Sequence, residues 1–228
     1  MSAGSNRVAA QRLAPLRSLL ILVMGSCAGE DGFTAPNTAP TAAIISPQTG
    51  TSVFRLETVT FQGTGLDLED GTLSGASLKW SSQLDGDLGS GALILVSTLS
   101  IGAHGITLEV TDSQGLIATA ATIVTVEPRQ AQVSVPLGTS VPGCETTNQC
   151  FVPDSVTVDV GGQVIWSNDD TAAHTVTSGT TANGPDGIFD SSLFVAGTTF
   201  THVFTVAGTY DYFCLVHPWQ VGKVVVEP

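Results

Sequence analysis

The sequence predicts an all-β protein made of two β-sandwich domains in series. Short alternating or β-branched segments recur from Ala42 onward, with Gly, Asp, Asn and Ser between them. No stretch of useful length carries a helical period. The chain of 228 residues also exceeds what one hydrophobic core usually serves, roughly 100–200 residues.

Residues 1–27 read as an export signal. Arg7, Arg12 and Arg17 precede the apolar run Leu19 to Met24, and the small residues Gly25 and Ser26 follow it. The run is far shorter than the roughly 20 apolar residues of a spanning helix. Met24-Gly25-Ser26-Cys27 resembles the lipobox of bacterial lipoproteins, which implies lipidation of Cys27, although Met24 stands where leucine is usual. The alternative is ordinary cleavage nearby. Residues 28–41, rich in Ala, Pro, Thr and Gly with no apolar period, read as a flexible linker.

The first sandwich is expected over residues 42–128. Its strand-like segments are Ala42-Ala-Ile-Ile, Val59-Thr-Phe-Gln, Ser77-Leu-Lys-Trp, Leu93-Ile-Leu-Val, Gly105-Ile-Thr-Leu-Glu-Val and Thr122-Ile-Val-Thr-Val. Leu68-Glu-Asp-Gly, Trp80, Asp85-Gly and His104-Gly-Ile-Thr-Leu-Glu-Val-Thr-Asp-Ser-Gln-Gly resemble the PKD-type immunoglobulin-like modules of secreted surface proteins. That resemblance implies a spacer or interaction module with no chemistry of its own. Asp67, Glu69, Asp70 and Asp112 lack the ordered spacing of a calcium loop and are read as turn residues. His104 has no cysteine or histidine near it and is read as a loop residue.

The second sandwich is expected over residues 129–228. Gln132-Val-Ser-Val, Ser155-Val-Thr-Val-Asp-Val, Gln163-Val-Ile-Trp-Ser-Asn, Ala173-His-Thr-Val-Thr-Ser, Phe200-Thr-His-Val-Phe-Thr-Val, Thr209-Tyr-Asp-Tyr-Phe-Cys and Gly222-Lys-Val-Val-Val-Glu supply its strands. Residues 179–190 form the longest irregular stretch and are read as a loop.

Chemistry concentrates at the end of this second segment. Cys214 and His217 sit three apart after a strand, with Pro218 following, and His174 lies in an earlier strand-like segment. A copper ion that cycles between two oxidation states wants one soft thiolate and two imidazoles in a nearly trigonal plane, with a weak axial donor. Cys214 must then be unpaired. Cys144 and Cys150, separated only by Glu145 to Gln149 in an exported chain, are expected to bridge each other. A zinc site at that pair would want further ligands, and no histidine lies near.

The stretches from Phe151 to Asn168, Ala173-His-Thr-Val-Thr-Ser, and Gly208-Thr-Tyr-Asp-Tyr-Phe-Cys-Leu-Val-His-Pro-Trp-Gln-Val-Gly-Lys-Val-Val-Val resemble the cupredoxins, especially the plastocyanin and amicyanin branch. The resemblance covers nearly all of the second domain and implies a Greek-key sandwich holding one copper ion per chain. It assigns His174 and His217 as imidazole ligands and Cys214 as the thiolate. The family expects methionine where this chain has Gln220, and the only methionines are Met1 and Met24. The Gln220 amide oxygen is therefore the expected axial donor, an arrangement resembling stellacyanin, with the carbonyl of Ala173 as a rival. Many relatives carry asparagine after the upstream histidine; here Thr175 offers a hydroxyl or a backbone N–H to the sulfur. His202 lies outside the motif and is read as a plain strand residue.

Charge narrows the partners. All twenty acidic residues follow Cys27, against four basic ones, a formal −16 for that part of the chain. Such a surface repels nucleic acid and anionic lipid; it either keeps the protein soluble or steers it to basic partners. Membrane contact is expected only through the lipid anchor, at the periplasm or cell surface. The reading is a one-electron carrier that is not an enzyme and that serves unidentified redox proteins. Copper trafficking or storage, and plain surface adhesion, are the alternatives. One Cys-His-His set without His-x-His pairs excludes a multicopper oxidase.

Overall fold

The computed structural model of the protein describes residues 36–228. The expected export signal and the Cys27 lipidation site therefore lie outside the described residues. Asn37–Pro228 forms one compact unit, and every regular element in it except two short 3₁₀ turns is a β-strand. Within that unit two hydrophobic cores form separately, one from residues between Val59 and Val126 and the other from residues between Val133 and Val226.

The first core lies between two sheets. Strands β1 (Thr41–Ser46), β2 (Thr51–Phe54), β3 (Val59–Asp67), β4 (Gly71–Leu73), β5 (Leu78–Ser82), β6 (Gly86–Ser90), β7 (Leu93–Val96), β8 (Gly102–Thr111) and β9 (Ile117–Glu127) build it. One sheet runs β1-β3-β4 with β7 also on β3, and the other runs β2-β9-β8-β5-β6. The two-residue alternation of β3 buries Val59 and Phe61 on one face. Gly63 continues that face because Trp80 and Leu108 already fill the space: a Cβ there would sit 2.5 Å from Leu108 and 2.9 Å from Trp80.

Two expectations fail in this half. His104 is no loop residue: it lies on β8, fully buried, with Nε2 2.7 Å from the Ser100 carbonyl and Nδ1 2.8 Å from the Ser82 hydroxyl. Both ring nitrogens are thus satisfied inside the sandwich, which is what burial of a polar ring demands. Asn37 and Thr38, expected to lie in a flexible linker, are instead tied to this sandwich. The Asn37 side chain donates to Asp112 at 2.7 Å, and the Thr38 backbone and hydroxyl both donate to Glu69.

The second core is built by β10 (Ala131–Val135), β11 (Ser155–Asp159), β12 (Gln163–Asn168), β13 (Thr177–Thr180), β14 (Gly184–Asp190), β15 (Thr199–Val203), β16 (Gly208–Phe213) and β17 (Val221–Glu227). A three-stranded sheet runs β10-β12-β15 and a five-stranded one runs β11-β17-β16-β13-β14. Residues 179–190, expected as a loop, instead complete an antiparallel hairpin of β13 with β14. Between the sheets Trp166 stacks on Phe200 and meets Tyr212 edge-on at 5.4 Å. Gly222, paired with Tyr212 across the sheet, leaves room for that ring; a Cβ there would fall 2.3 Å from it. Tyr212 is thereby fixed two residues before Cys214.

Asp159, at the end of β11, is fully buried and ion-paired. Arg129 meets it through its backbone N–H and its guanidinium, and Arg55 reaches it from the first half at 2.8 Å. Arg55 also donates to the Pro228 carbonyl. Burial alone would raise the Asp159 pKa, but the hydrogen bonds and charge of Arg129, with Arg55 behind, hold it below the usual carboxylate range. Asp159→Asn should therefore destabilise the full chain by about 2–3 kcal/mol in chemical denaturation at pH 7, less than a fully buried pair because both arginines are partly exposed. A depressed folded pKa contributes stability above about pH 4 that is lost as pH falls through it. The gap between parent and variant should narrow over that acid range.

Candidate metal centre

Four segments meet at one end of the second sandwich. Cys214 follows the last residue of β16, and a short loop carries His217 and Gln220 back to β17. The loop is closed by the Cys214 N–H on the Gln220 carbonyl at 3.1 Å and the Gln220 N–H on the His217 carbonyl at 2.9 Å. His174 lies outside any long strand; it is held in an isolated bridge to Phe194, each backbone N–H donating to the other's carbonyl.

These elements bring His174, Cys214 and His217 together, with their ligand atoms all within 4.8 Å of one another. Cys214 Sγ lies 3.9 Å from His174 Nδ1 and 3.7 Å from His217 Nδ1, and the two Nδ1 atoms are 3.1 Å apart. A point equidistant from three atoms so spaced is about 2.1 Å from each, within the range of first-row metal bonds to sulfur and nitrogen. The donor set therefore fits a copper ion with no rearrangement. Cys214 and His174 are fully buried, whereas the His217 ring is partly exposed.

Gln220 is fully buried as well, and its amide has a defined sense. Nε2 donates to the Thr139 carbonyl at 2.7 Å, which turns Oε1 toward the cage, 3.0 Å from His174 Nδ1. The Thr175 backbone N–H donates to Cys214 Sγ at 3.3 Å. Its hydroxyl points elsewhere, accepting from the Leu215 N–H at 2.8 Å. Of the two donors Thr175 offers, the main chain is the one at the sulfur.

Two features of the site escape a reading by residue type. Asp170, four residues before His174, is buried, and its carboxylate accepts from His174 Nε2 at 3.0 Å. A carboxylate can only accept, so Nε2 carries the proton and Nδ1 presents its lone pair to the cage. The spacing Asp-x-x-x-His was the one sequence signal for it. Burial works against the charge of Asp170, yet backbone N–H groups of Gly138, Thr171 and Ser140 and the His174 ring push its pKa far below the usual range.

The second feature is the backbone of residues 138–140. Gly138 and Ser140 donate to Asp170 at 2.9 and 3.1 Å. Between them, the Thr139 carbonyl accepts from both Gln220 Nε2 and Trp219 Nε1. One short stretch thus fixes the upstream histidine through Asp170 and the Gln220 amide directly. The Cys144–Cys150 disulfide closes the segment that follows, and Cys150 packs at 4.0 Å from the Trp219 carbonyl. Cys214 is the free cysteine among the described residues.

Electrostatics favour the ligating forms of Cys214 and His217; at His174 burial opposes the charged ring, but hydrogen bonding to Cys214, Asp170 and Gln220 raises the pKa. Burial alone would keep the Cys214 thiol protonated, but His174 and the backbone N–H groups of Thr175, Val216 and His217 lower its pKa. Burial and the neighbouring His174 lower that of His217, which favours its neutral ring. His202 is outside the cage, its ring 4.9 Å from that of Phe189, and takes no part.

An all-β sandwich with a buried Cys-His-His cage at one end defines the cupredoxin class of copper protein. The comparisons place the chain within it: it belongs to the copper-binding proteins of the plastocyanin/azurin family, which residues 140–227 match. An amicyanin of Paracoccus versutus is 31% identical over 135 residues, 59% of this chain and all of that one. The chloroplastic plastocyanin of Tetradesmus obliquus is 32% identical over 37% of this chain and 63% of its own. Among solved structures, a purple cupredoxin from Nitrosopumilus maritimus is 33% identical over 42% of this chain and 99% of that chain, with a TM-score of 0.39. The metal of the family is copper.

Asp170→Asn keeps the size of the side chain but no longer fixes the His174 tautomer. It should weaken copper retention by about 10–100-fold, measured by competition with a chelator.

Proposed function

We propose that the chain is an exported one-electron carrier in which His174, Cys214 and His217 hold one copper ion and Gln220 lies on the axis. The observation that carries this reading is the convergence of one thiolate and two imidazoles on a single point inside a stiff sandwich. Copper supplies one-electron exchange there; the protein's part is to hold the donors in place and keep water out. Trafficking proteins must release their metal, and a cage with two fully buried donors opposes release.

His217 is the ligand that reaches the surface, and exposed Leu215 and Val216 flank it in the same loop. A redox partner would dock there, and the acidic surface favours a basic one. No bond of a substrate is made or broken. Residues 1–27 would direct export, with Cys27 lipidated, so that the protein is anchored at the periplasmic or cell surface. Residues 42–128 would act as an immunoglobulin-like spacer ahead of a copper domain over residues 129–228.

Adding Cu(II) to the metal-free chain should produce an intense visible absorption from charge transfer between thiolate and metal, absent in Cys214→Ser. A chain that fails to bind copper would overturn the reading. An amide oxygen is harder than a thioether and favours the more oxidised ion. Gln220→Met should accordingly raise the reduction potential measured by voltammetry; an unchanged or lower potential removes Gln220 from the axis.

A further inference from the structure

Buried polar atoms are almost always paired, and an orphan asks for an explanation such as an ion. Among the described residues four buried side-chain atoms have no partner. Two of them, on Trp166 and Tyr212, belong to rings of the second core. The other two are Asp67 Oδ2 and Asn37 Oδ1, and both lie at one end of the first sandwich.

The surrounding contacts form a closed ring. Asp67 Oδ1 accepts from the backbone N–H groups of Glu69 and Asp70. Glu69 accepts from Thr38, whose neighbour Asn37 donates to Asp112 Oδ2 at 2.7 Å. Ser113, next to Asp112, donates through its backbone and its hydroxyl to Asp70, which returns the ring to Asp67. Turn chemistry accounts for one oxygen each of Asp67 and Asp112, whose Oδ1 atoms cap their own loops. It leaves Asp67 Oδ2 and Asn37 Oδ1, both on residues of the ring, buried without a donor.

Charge points the same way. Asp67 and Asp112 are 4% and 6% exposed, with Glu69 and Asp70 beside them, and none of the ion pairs among the described residues involves any of the four. Several carboxylates gathered without a cation repel one another, and a buried anion with an unpaired oxygen is costly. No three carboxylates here lie mutually within 4.8 Å. The set is instead two carboxylate oxygens and one neutral amide oxygen, all hard donors.

We propose that Asn37, Asp67 and Asp112 bind one calcium ion at this end of the first sandwich. Calcium takes six to eight oxygen ligands in flexible geometry, and it accepts carboxylates, amide carbonyls, backbone carbonyls and water together. The absence of nitrogen and sulfur donors excludes a softer metal. Because Asn37 precedes β1, the ion ties the approach to that strand to the Asp67 and Asp112 turns.

The test uses the full chain, stripped of metal on a chelating resin and titrated with calcium chloride in a calorimeter. One site per chain is expected, with a dissociation constant of about 10⁻⁴–10⁻³ M, as in extracellular modules. The thermal midpoint should rise by about 3–5 °C at ten times that concentration. Asp67→Asn preserves the turn-capping oxygen, and Asn37→Ala removes a hydrogen bond to Asp112 Oδ2 but leaves the Oδ1 that caps the Asp112 turn; each should weaken binding at least about tenfold. Cys214→Ser should leave it unchanged. No heat and no shift up to about 10 mM calcium would overturn the proposal. So would parental affinity in both Asp67→Asn and Asn37→Ala, or loss of binding in Cys214→Ser.

Discussion

The constraint on which the second sandwich depends is that three lone pairs must face one another in a dry interior. Two imidazole nitrogens 3.1 Å apart, with a sulfur less than 4 Å from each, do not stay together through mutual attraction. The surrounding structure has to hold them. Cys214 is placed by the register of β16 on β17, and that register depends on Tyr212 crossing Gly222. His174 is placed by its bridge to Phe194 and by Asp170. Cys214 is thus set by the strand it follows, His174 by its bridge and its carboxylate partner, and His217 by the short loop closed between Cys214 and Gln220.

The segment around Thr139 explains how donors far apart in sequence share one geometry. Its two flanking N–H groups set Asp170 and hence His174, and its carbonyl sets the Gln220 amide. A shift of this backbone would move the upstream imidazole and the Gln220 amide oxygen together. Closing the adjoining segment with a disulfide limits the conformations open to it.

The ligands themselves were legible because their chemistry is carried by residue type at short spacing: a cysteine and a histidine three apart, and one further histidine in a strand-like context. What positions them was harder to read. Thr139 acts through main-chain groups, and a backbone carbonyl leaves no trace in residue type. Asp170 sits in Asn168-Asp-Asp-Thr, which has the composition of a turn, and only its distance from His174 hinted otherwise. His104 was recoverable. It falls on the same alternation as Ile106, Leu108 and Val110, and continuing that period two residues back places it inside. The hairpin of β13 with β14 was hidden because its Gly, Asn and Pro content resembles a loop, and its pairing is irregular.

The acidic composition is also more than a surface property. Asp159 and Asp170 are nearly or fully buried, one ion-paired with arginines and the other held by backbone N–H groups and a metal-site imidazole. Asp170 matters to the copper chemistry because its carboxylate is on the far side of a ligand ring, in a poorly screened interior. A fixed negative charge there favours the higher-charged oxidation state, since the cation with more charge gains more from it. On the proposed reading the Gln220 oxygen acts in the same direction through hardness rather than net charge. The two contributions have different physical origins and come from residues fixed by the same short backbone. Selection for a low potential would therefore act on residues 138–140 as strongly as on the ligands.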